Sequence, residues 1–291
     1  MTDAADHPVS DVNPSPRARE AGSVAPMTIP DEGYPLTAAI SPRVQVTAST
    51  GSTNADVARS AAESPPQWPH LSLLLTTDQR AGRGRLDRSW TAPPGTALAV
   101  SVLLRVPRLP YASRGWIPLM AGAAMARAIA AQMTGSEQTA RLKWPNDVLV
   151  GEGKICGILA EVVATDPDAI VVGAGVNTRM SPTDLPVDTA TSFAALGLEC
   201  DDDRLLADYL TALDEQVSAL EDALGNAAVA GVQREIEALC ATVGKDVHVS
   251  LPDGSAIDGN AQRIDEDGRL VVVDATGREV PVSAGDVLHV R

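Results

Sequence analysis

From Pro42 onward the chain alternates between two hydrophobic patterns. Strand-like apolar runs occur as VQVTA from Val44, LSLLLTTD from Leu71 and ALAVSVLLR from Ala97, then as DVLVG from Asp147, KICGILAEVV from Lys154 and AIVVGAGVN from Ala169. Helix-like segments rich in Ala lie between them. One starts at Asn54 behind the capping residues Ser52 and Thr53 and runs through ADVARSAAE until Ser64 and the Pro65-Pro66 pair stop it. A second occupies GWIPLMAGAAMARAIAAQM, where Ile117, Met120, Ala124, Ala128 and Met133 return to one face. The longest covers Asp202 to Leu224 and repeats Leu206, Leu210, Leu213, Val217, Leu220 and Leu224 at helical spacing. About three heptads are too few for a coiled coil, so the stripe predicts core packing. Such alternation marks a mixed α/β domain.

The texture changes at both ends. After Cys240, short alternating runs (DVHVSL, RLVVVD, DVLHV) are separated by turn pairs at Asp253-Gly254 and Asp267-Gly268, which predicts a small all-β barrel. Before it, seven of the 21 prolines fall within the first 42 residues, where apolar periodicity is absent and a disordered tail is expected. The expected division is therefore a tail over 1–42, a larger domain over 43–240 and a barrel over 241–291.

Charge changes this picture more than composition does. The 291 residues carry 38 acidic and 23 basic side chains, a net charge of −15, which argues against polymeric nucleic acid as a partner. More than half of that charge falls between Glu199 and Asp222, where only Arg204 is basic, and the pattern assigns it to the outer face of the longest helix. The sign reverses once. From Arg80 to Arg88, four arginines and one Asp are interleaved with Gly82 and Gly84. Glycine allows close backbone approach and guanidinium groups fork onto phosphate or carboxylate, so this segment reads as a mobile anion-binding loop. A solvated basic hairpin is the alternative, and an RG-type nucleic-acid segment fits poorly in an acidic chain.

Other chemistries lack their residues. The three cysteines, Cys156, Cys200 and Cys240, have no C-x-x-C spacing and read as small packing residues. No phosphate-loop or G-x-S-x-G motif occurs, GAGVNT from Gly173 lacks the third small residue of a dinucleotide fingerprint, and the four histidines are scattered. No apolar run nears the ~18 residues of a membrane span and the N-terminus has no secretion signal, so a cytoplasmic location is expected. The remaining informative stretch is RLKWPNDVLVGEGKICGILAEV. Lys143, Trp144, Asn146 and Asp147 gather a cation, an aromatic face, an amide and a carboxylate around Pro145. Lys154 opens an apolar strand, either as a snorkelling edge residue or as a charge held for a carboxylate or phosphate.

Taken in order, GSTNAD at Gly51, TTDQRAGRGRLDRSW at Thr76, KWPND at Lys143, GKICGILAE at Gly153 and GAGVN at Gly173 resemble successive motifs of the biotin protein ligases. The resemblance implies an α+β fold: a class II synthetase-like biotin/lipoate ligase catalytic domain, with a mixed sheet and helices, followed by a small SH3-like β-barrel. It implies two steps, in which biotin and MgATP give biotinyl-5′-AMP, and a lysine of a biotin carboxyl-carrier domain then takes the acyl group. That domain belongs to an acetyl-CoA, acyl-CoA or pyruvate carboxylase. Carried over by motif, Ser52, Thr53, Asn54 and Gln79 belong to the biotin site. Arg83, Gly84 and Arg85 belong to the loop closing over biotin and its adenylate, and Lys154 contacts biotin or its activated carboxyl. Lys154 and Arg85 carry the catalytic roles, and Trp90, Asn146 and Asn177 the contacts to ATP. No residue is assigned as a metal ligand, and roles are not divided between Lys143 and Asp147.

No winged helix is expected in the Pro-rich tail, so the resemblance is to a ligase without repressor activity. A monomer or weak homodimer is expected, with no nucleic-acid or membrane partner. The rival readings are a lipoate or octanoate ligase or transferase and a non-catalytic biotin or nucleotide sensor.

Overall fold

The computed structural model of the chain describes residues 33–86 and 88–290, and the expected tail over 1–32 lies outside them. The chain runs through α1 (Pro35–Ala38), β1 (Val44–Val46), α2 (Thr53–Glu63), β2 (Leu73–Thr76), β3 (Gly82–Arg83), β4 (Ser89–Trp90), β5 (Ala97–Arg105), α3 (Ile117–Gln132), β6 (Ala140–Lys143) and β7 (Asp147–Val150). It continues through β8 (Gly153–Val163), β9 (Asp166–Asn177), α4 (Asp202–Asp222), α5 (Val232–Leu239), β10 (Asp246–Ser250), β11 (Ala256–Ile264), β12 (Leu270–Asp274), β13 (Glu279–Val282) and β14 (Asp286–His289). Every strand and helix expected from Val44 onward is present, within a few residues of its expected ends.

Seven strands form one mixed sheet in the order β1-β2-β5-β9-β8-β7-β6. β1 is parallel to β2, and the other pairs are antiparallel. Strand β5 reads as a continuous apolar run because both its faces are covered. Leu98, Val100, Val102 and Leu104 join the main core with α3, whereas Leu103 packs with Leu74 and Val171 beneath Val57 and Ala61 of α2. Helix α3 lies between the sheet and α4 and is buried on almost every side. The one-sided stripe expected of it is therefore too narrow.

Two expectations at the ends of α4 need correction. The helix does not carry its acids only outward, because Asp202, Asp203 and Glu221 are buried. Each has a partner that offsets its desolvation: Arg179 lies 3.0 Å from Asp202, and Arg108 lies 3.2 Å from Glu221. Leu224 does not extend the buried stripe, since it follows the helix with a φ of 53° and is 79% exposed.

The third carboxylate, Asp203, corrects the boundary of the tail. It accepts hydrogen bonds from the backbone of Leu36 (2.9 Å) and Thr37 (2.8 Å) and from Thr37 Oγ1 (2.7 Å). These satisfy the free N–H groups at the start of α1, and Tyr34 and Thr37 are buried. The segment from 34 to 41 is thus part of the folded domain. Its prolines and short length hid a helix held by a partner 166 residues away.

The C-terminal unit is a five-stranded antiparallel sheet in the order β13-β12-β11-β10-β14. Two fully buried tryptophans fasten it to the larger unit. Trp116 Nε1 donates to Glu266 O (2.9 Å) and Trp144 Nε1 donates to Gly268 O (3.2 Å), both in the β11–β12 turn. The Trp144 amide also donates to Thr242 Oγ1 (3.1 Å). One hydrophobic core runs through both units.

Asp203→Ala should strip three hydrogen bonds from α1, leave buried donors unpaired and cost about 2 kcal/mol. Urea unfolding at neutral pH reads this directly, and an unchanged midpoint would show that α1 does not depend on Asp203.

Candidate active site

One row of the large sheet is bare of side chains at its centre. Across the strands, Ala99, Gly175, Gly157 and Asp147 are successive register partners, and the next row holds Ser101, Gly173 and Leu159. Helix α2 covers the far end of this face and stops at its N-terminus above the glycines. There Asn54 rests on Gly173, where any side chain would overlap its amide. Trp90 lies over Gly175, where a methyl group would come 2.5 Å from Cε2. The GAG of β9 is thus a close-packing element, as its sequence implies. Above the glycine floor lies a cavity of about 440 Å³.

The α2 end of the cavity is a connected polar network. Ser52 caps α2 by accepting from the Ala55 amide (3.4 Å). Gln79 Oε1 accepts from the Thr53 amide (2.9 Å) and Thr53 Oγ1 (3.0 Å), which fixes its orientation and leaves Nε2 as a donor. Ser101 Oγ lies 2.7 Å from Thr53 Oγ1 and 2.6 Å from Asn54 Oδ1. Asn54 Nδ2 donates to Glu161 Oε2 (2.7 Å) and Leu159 O (3.2 Å).

Strands β3 and β4 form a two-stranded hairpin that carries the arginines over the cavity. Arg80 turns outward to Asp78 (2.8 Å). Arg83 pairs with Glu161 (3.0 Å), and Arg88 pairs with Asp286 of the C-terminal sheet. Arg85 donates to Asn146 Oδ1 (3.0 Å) and approaches Gly285 O (3.5 Å). On the opposite wall Lys154 Nζ lies 2.6 Å from Asp147 Oδ1. Five basic side chains (Arg83, Arg85, Arg88, Lys143, Lys154) therefore face two carboxylates (Asp147, Asp286) in a strongly acidic protein.

These cations are not equivalent. Among the described residues, Arg85 and Lys143 are the two that line the cavity without a carboxylate at ion-pair distance. Burial lowers the pKa of the Arg85 guanidinium, against the attraction of Asp286 and Asp147. Burial likewise lowers that of Lys143, opposed by Asp147 and reinforced by the neighbouring Lys154 charge. Two partly desolvated, uncompensated cations make a site that an anion stabilises. Cys156 lies beneath them fully buried, and burial pushes its thiol far above the usual range, so it is a packing residue.

The structure brings Ser52, Thr53, Asn54, Gln79, Arg83, Gly84, Arg85, Trp90, Asn146 and Lys154 to this one cavity. Asn177 is not part of its lining. Its amide Nδ2 donates to Thr191 O (2.9 Å), and the side chain is buried. Asn146 is already engaged at both ends, since its Nδ2 donates to Ile158 O (2.6 Å) while Oδ1 accepts from Arg85. Sequence reasoning missed the contribution of the C-terminal sheet, where Ser250 and residues 285–288 close one side. Those positions carry no motif, and only the docking of the two units reveals them.

Comparison with known proteins agrees with this geometry. Residues 46–177 match the Biotin/lipoate A/B protein ligase family, and residues 242–290 match the Biotin protein ligase C terminal domain. The chain is 38% identical to the Biotin--[acetyl-CoA-carboxylase] ligase of Mycobacterium tuberculosis over 251 residues, covering 86% of this chain and 90% of that protein. It is 39% identical to the bifunctional ligase/repressor BirA of Escherichia coli over 104 residues, 35% of this chain and 31% of that one. In fold it is similar to the biotin protein ligase of Aquifex aeolicus solved with biotin and ATP, with a TM-score of 0.68 and 23% identity over 85% of this chain and 99% of that one.

Because Asp286 holds the hairpin from the C-terminal side, Asp286→Asn should loosen it. Limited trypsin digestion would then cut after Arg80 to Arg88 several-fold faster than in wild type, a modest effect in line with a partly exposed ion pair. Equal cleavage rates would show that this pair does not restrain the hairpin.

Proposed function

The chain belongs to the biotin protein ligase family and is an ATP-dependent biotin ligase, and we propose how the cavity above the glycine floor performs its two steps. In the first, a biotin carboxylate oxygen bonds to the α-phosphorus of ATP while the bond to pyrophosphate breaks, giving biotinyl-5′-AMP. In the second, the amine of an acceptor lysine bonds to the acyl carbon, the amine loses a proton and AMP leaves. The observation that carries this reading is the pair of uncompensated cations, Arg85 and Lys143, beside the Lys154–Asp147 pair in one cavity.

The first step brings one anion onto another, so it needs cations where negative charge gathers on the phosphoryl and leaving oxygens. Charge-assisted hydrogen bonds supply roughly 1.5 to 3 kcal/mol each. Arg85 and Lys143 are the groups free to give them, and Lys154 joins them with Asp147 fixing its ammonium. This divides the two roles that the KWPND motif leaves open: Lys143 meets the anion, and Asp147 positions Lys154. Thr53, Asn54 and the free Nε2 of Gln79 offer polar contacts to the biotin head at the α2 end, with Ser52 holding that end of the helix. Gly84 gives the hairpin the close approach it needs.

Trp90 presents an aromatic face for the adenine, and Asn146 holds Arg85 in place beside the phosphates. Asn177 lies outside the lining, and in this reading it acts by anchoring the Thr191 segment that pairs with Lys154. Asp147 and Asp286 are the carboxylates lining the cavity that could help hold a Mg²⁺ ion brought by the triphosphate, whose oxygens would have to supply the rest of its ligands. When bound, it screens the phosphate charge that the attacking carboxylate must approach.

A mixed anhydride hydrolyses readily, so the arginine hairpin also has to exclude water until the acceptor arrives. The acceptor in this reading is a biotin carboxyl-carrier domain of an acetyl-CoA, acyl-CoA or pyruvate carboxylase, met in the cytoplasm by a monomer or weak homodimer. Among the described residues, no helix is long and apolar enough to cross a membrane.

Incubation with biotin, MgATP and a carrier domain, read by intact mass, should give a single biotinyl adduct. No adduct would sink the reading, and exchange supported by lipoate in place of biotin would redirect it. Lys154→Ala should abolish biotin-dependent ATP–pyrophosphate exchange in a folded protein, whereas near-normal exchange would return Lys154 to a surface role. Arg85→Ala should let the adenylate escape and label nearby lysines indiscriminately, and undiminished retention of the intermediate would exclude Arg85 from the closing loop.

A further inference from the structure

Beside the cavity at its α2 end, on β8, a single carboxylate joins the polar network of α2 to the arginine hairpin. Glu161 Oε2 accepts from Asn54 Nδ2 at 2.7 Å, and Oε1 lies 3.0 Å from Arg83 Nη2. It does not line the cavity, so it does not meet a ligand there. We propose that Glu161 is a positioning residue of the biotin site, setting the amide of Asn54 and holding the first strand of the hairpin in register over the cavity. The proposal rests on the functional reading above and goes beyond it by assigning the part that couples the two halves of the site.

Three observations support this role. First, Asn54 is buried with its orientation imposed from both ends, since Ser101 Oγ sits 2.6 Å from Oδ1 while Nδ2 faces Leu159 O and Glu161. The direct contact to Glu161 is charge-assisted and the shorter of its two Nδ2 bonds, so it sets where the amide lies. Second, Gly173 lets the Asn54 amide lie directly against the sheet, so its position there rests on its hydrogen bonds to Ser101, Leu159 O and Glu161, of which only the one to Glu161 is charge-assisted. Third, the hairpin is tied at each strand by a different unit: Arg83 of β3 to Glu161 of the large sheet, and Arg88, just before β4, to Asp286 of the small one. The Glu161 tie is the one that reaches the biotin end of the cavity.

Nor does Glu161 have another task. Its neighbours on β8, Val162 and Val163, contribute apolar surface, and among the described residues its carboxylate contacts are Asn54 and Arg83. Arg83 is 54% exposed and Glu161 31%, so solvent screens the ion pair and its loss alone would leave the fold standing.

Glu161→Gln preserves shape and removes the charge. Its amide oxygen can still accept from Asn54, but the bond is no longer charge-assisted, and the NH₂ replaces the oxygen that lies 3.0 Å from Arg83 with a donor facing a donor. The KM for biotin in ATP–pyrophosphate exchange should rise about tenfold, as expected for one charge-assisted hydrogen bond, with kcat within about twofold, the signature of lost ground-state binding. The release rate of biotinyl-5′-AMP should rise in parallel. Glu161→Asp keeps the charge and shortens the reach, so it should show a smaller KM rise and serves as the reading if the Gln variant does not fold. An unchanged KM and release rate in a folded variant, or a loss confined to kcat or melting temperature, would overturn the proposal. Absence of exchange in the wild type would instead overturn the functional reading on which it rests.

Discussion

The site depends on a patch of sheet from which side chains have been removed. Gly173 and Gly175 on β9 and Gly157 on β8 let Asn54, Trp90 and Lys154 lie directly against the strands. Any β-carbon at Gly173 or Gly175 would displace the helix end or the indole that defines the cavity. The same face carries Leu103 and Val171 in the row beyond Gly173, and Leu74 on the neighbouring strand, where α2 packs conventionally. A single change along the strands, from branched apolar residues to glycine, therefore converts a helix-packing surface into a ligand floor.

Electrostatics then decides what that floor admits. The protein as a whole repels anions, yet the cavity gathers five cations against two carboxylates. Most of those cations are already paired: Arg83 with Glu161, Arg88 with Asp286 and Lys154 with Asp147. Their pairing orders the hairpin and the wall without consuming Arg85 and Lys143, whose burial makes an anion the natural counter-ion. Acidic residues elsewhere, such as Asp202, Asp203 and Glu221, are spent on internal contacts and do not reach this region. Selectivity for one small anionic ligand over a polyanion follows from concentrating positive charge in an enclosed place within a negative exterior.

The two units of the chain are joined before they are functional. Trp116 and Trp144 each fill the core and spend their single N–H on the same turn of the small sheet, which fixes that sheet as one wall of the cavity. Trp144 belongs to the KWPND segment, so one motif supplies both the cation Lys143 and the anchor that brings Ser250 and residues 285–288 alongside it. The hairpin closes between these walls, held from either side by a carboxylate of a different unit.

How much of this was legible depended on range. The strand and helix pattern from Val44, the change of texture after Cys240 and the reversal of charge at Arg80–Arg88 are local properties, and the sequence by itself determined them. The resemblance of its ordered motifs to those of the biotin protein ligases implied which residues would meet, and the structure brings all of them but Asn177 to one cavity. Only the tertiary structure decided which arginine is free and which is tied, because that depends on Glu161, Asp286 and Asn146, which lie 61 to 198 residues from their partners. It likewise decided that Asn177 lies outside the cavity lining, that residues 34–41 fold onto α4 and that its acids are partly internal. A carboxylate looks the same in sequence whether water or a buried amide receives it, and only the packed chain distinguishes the two.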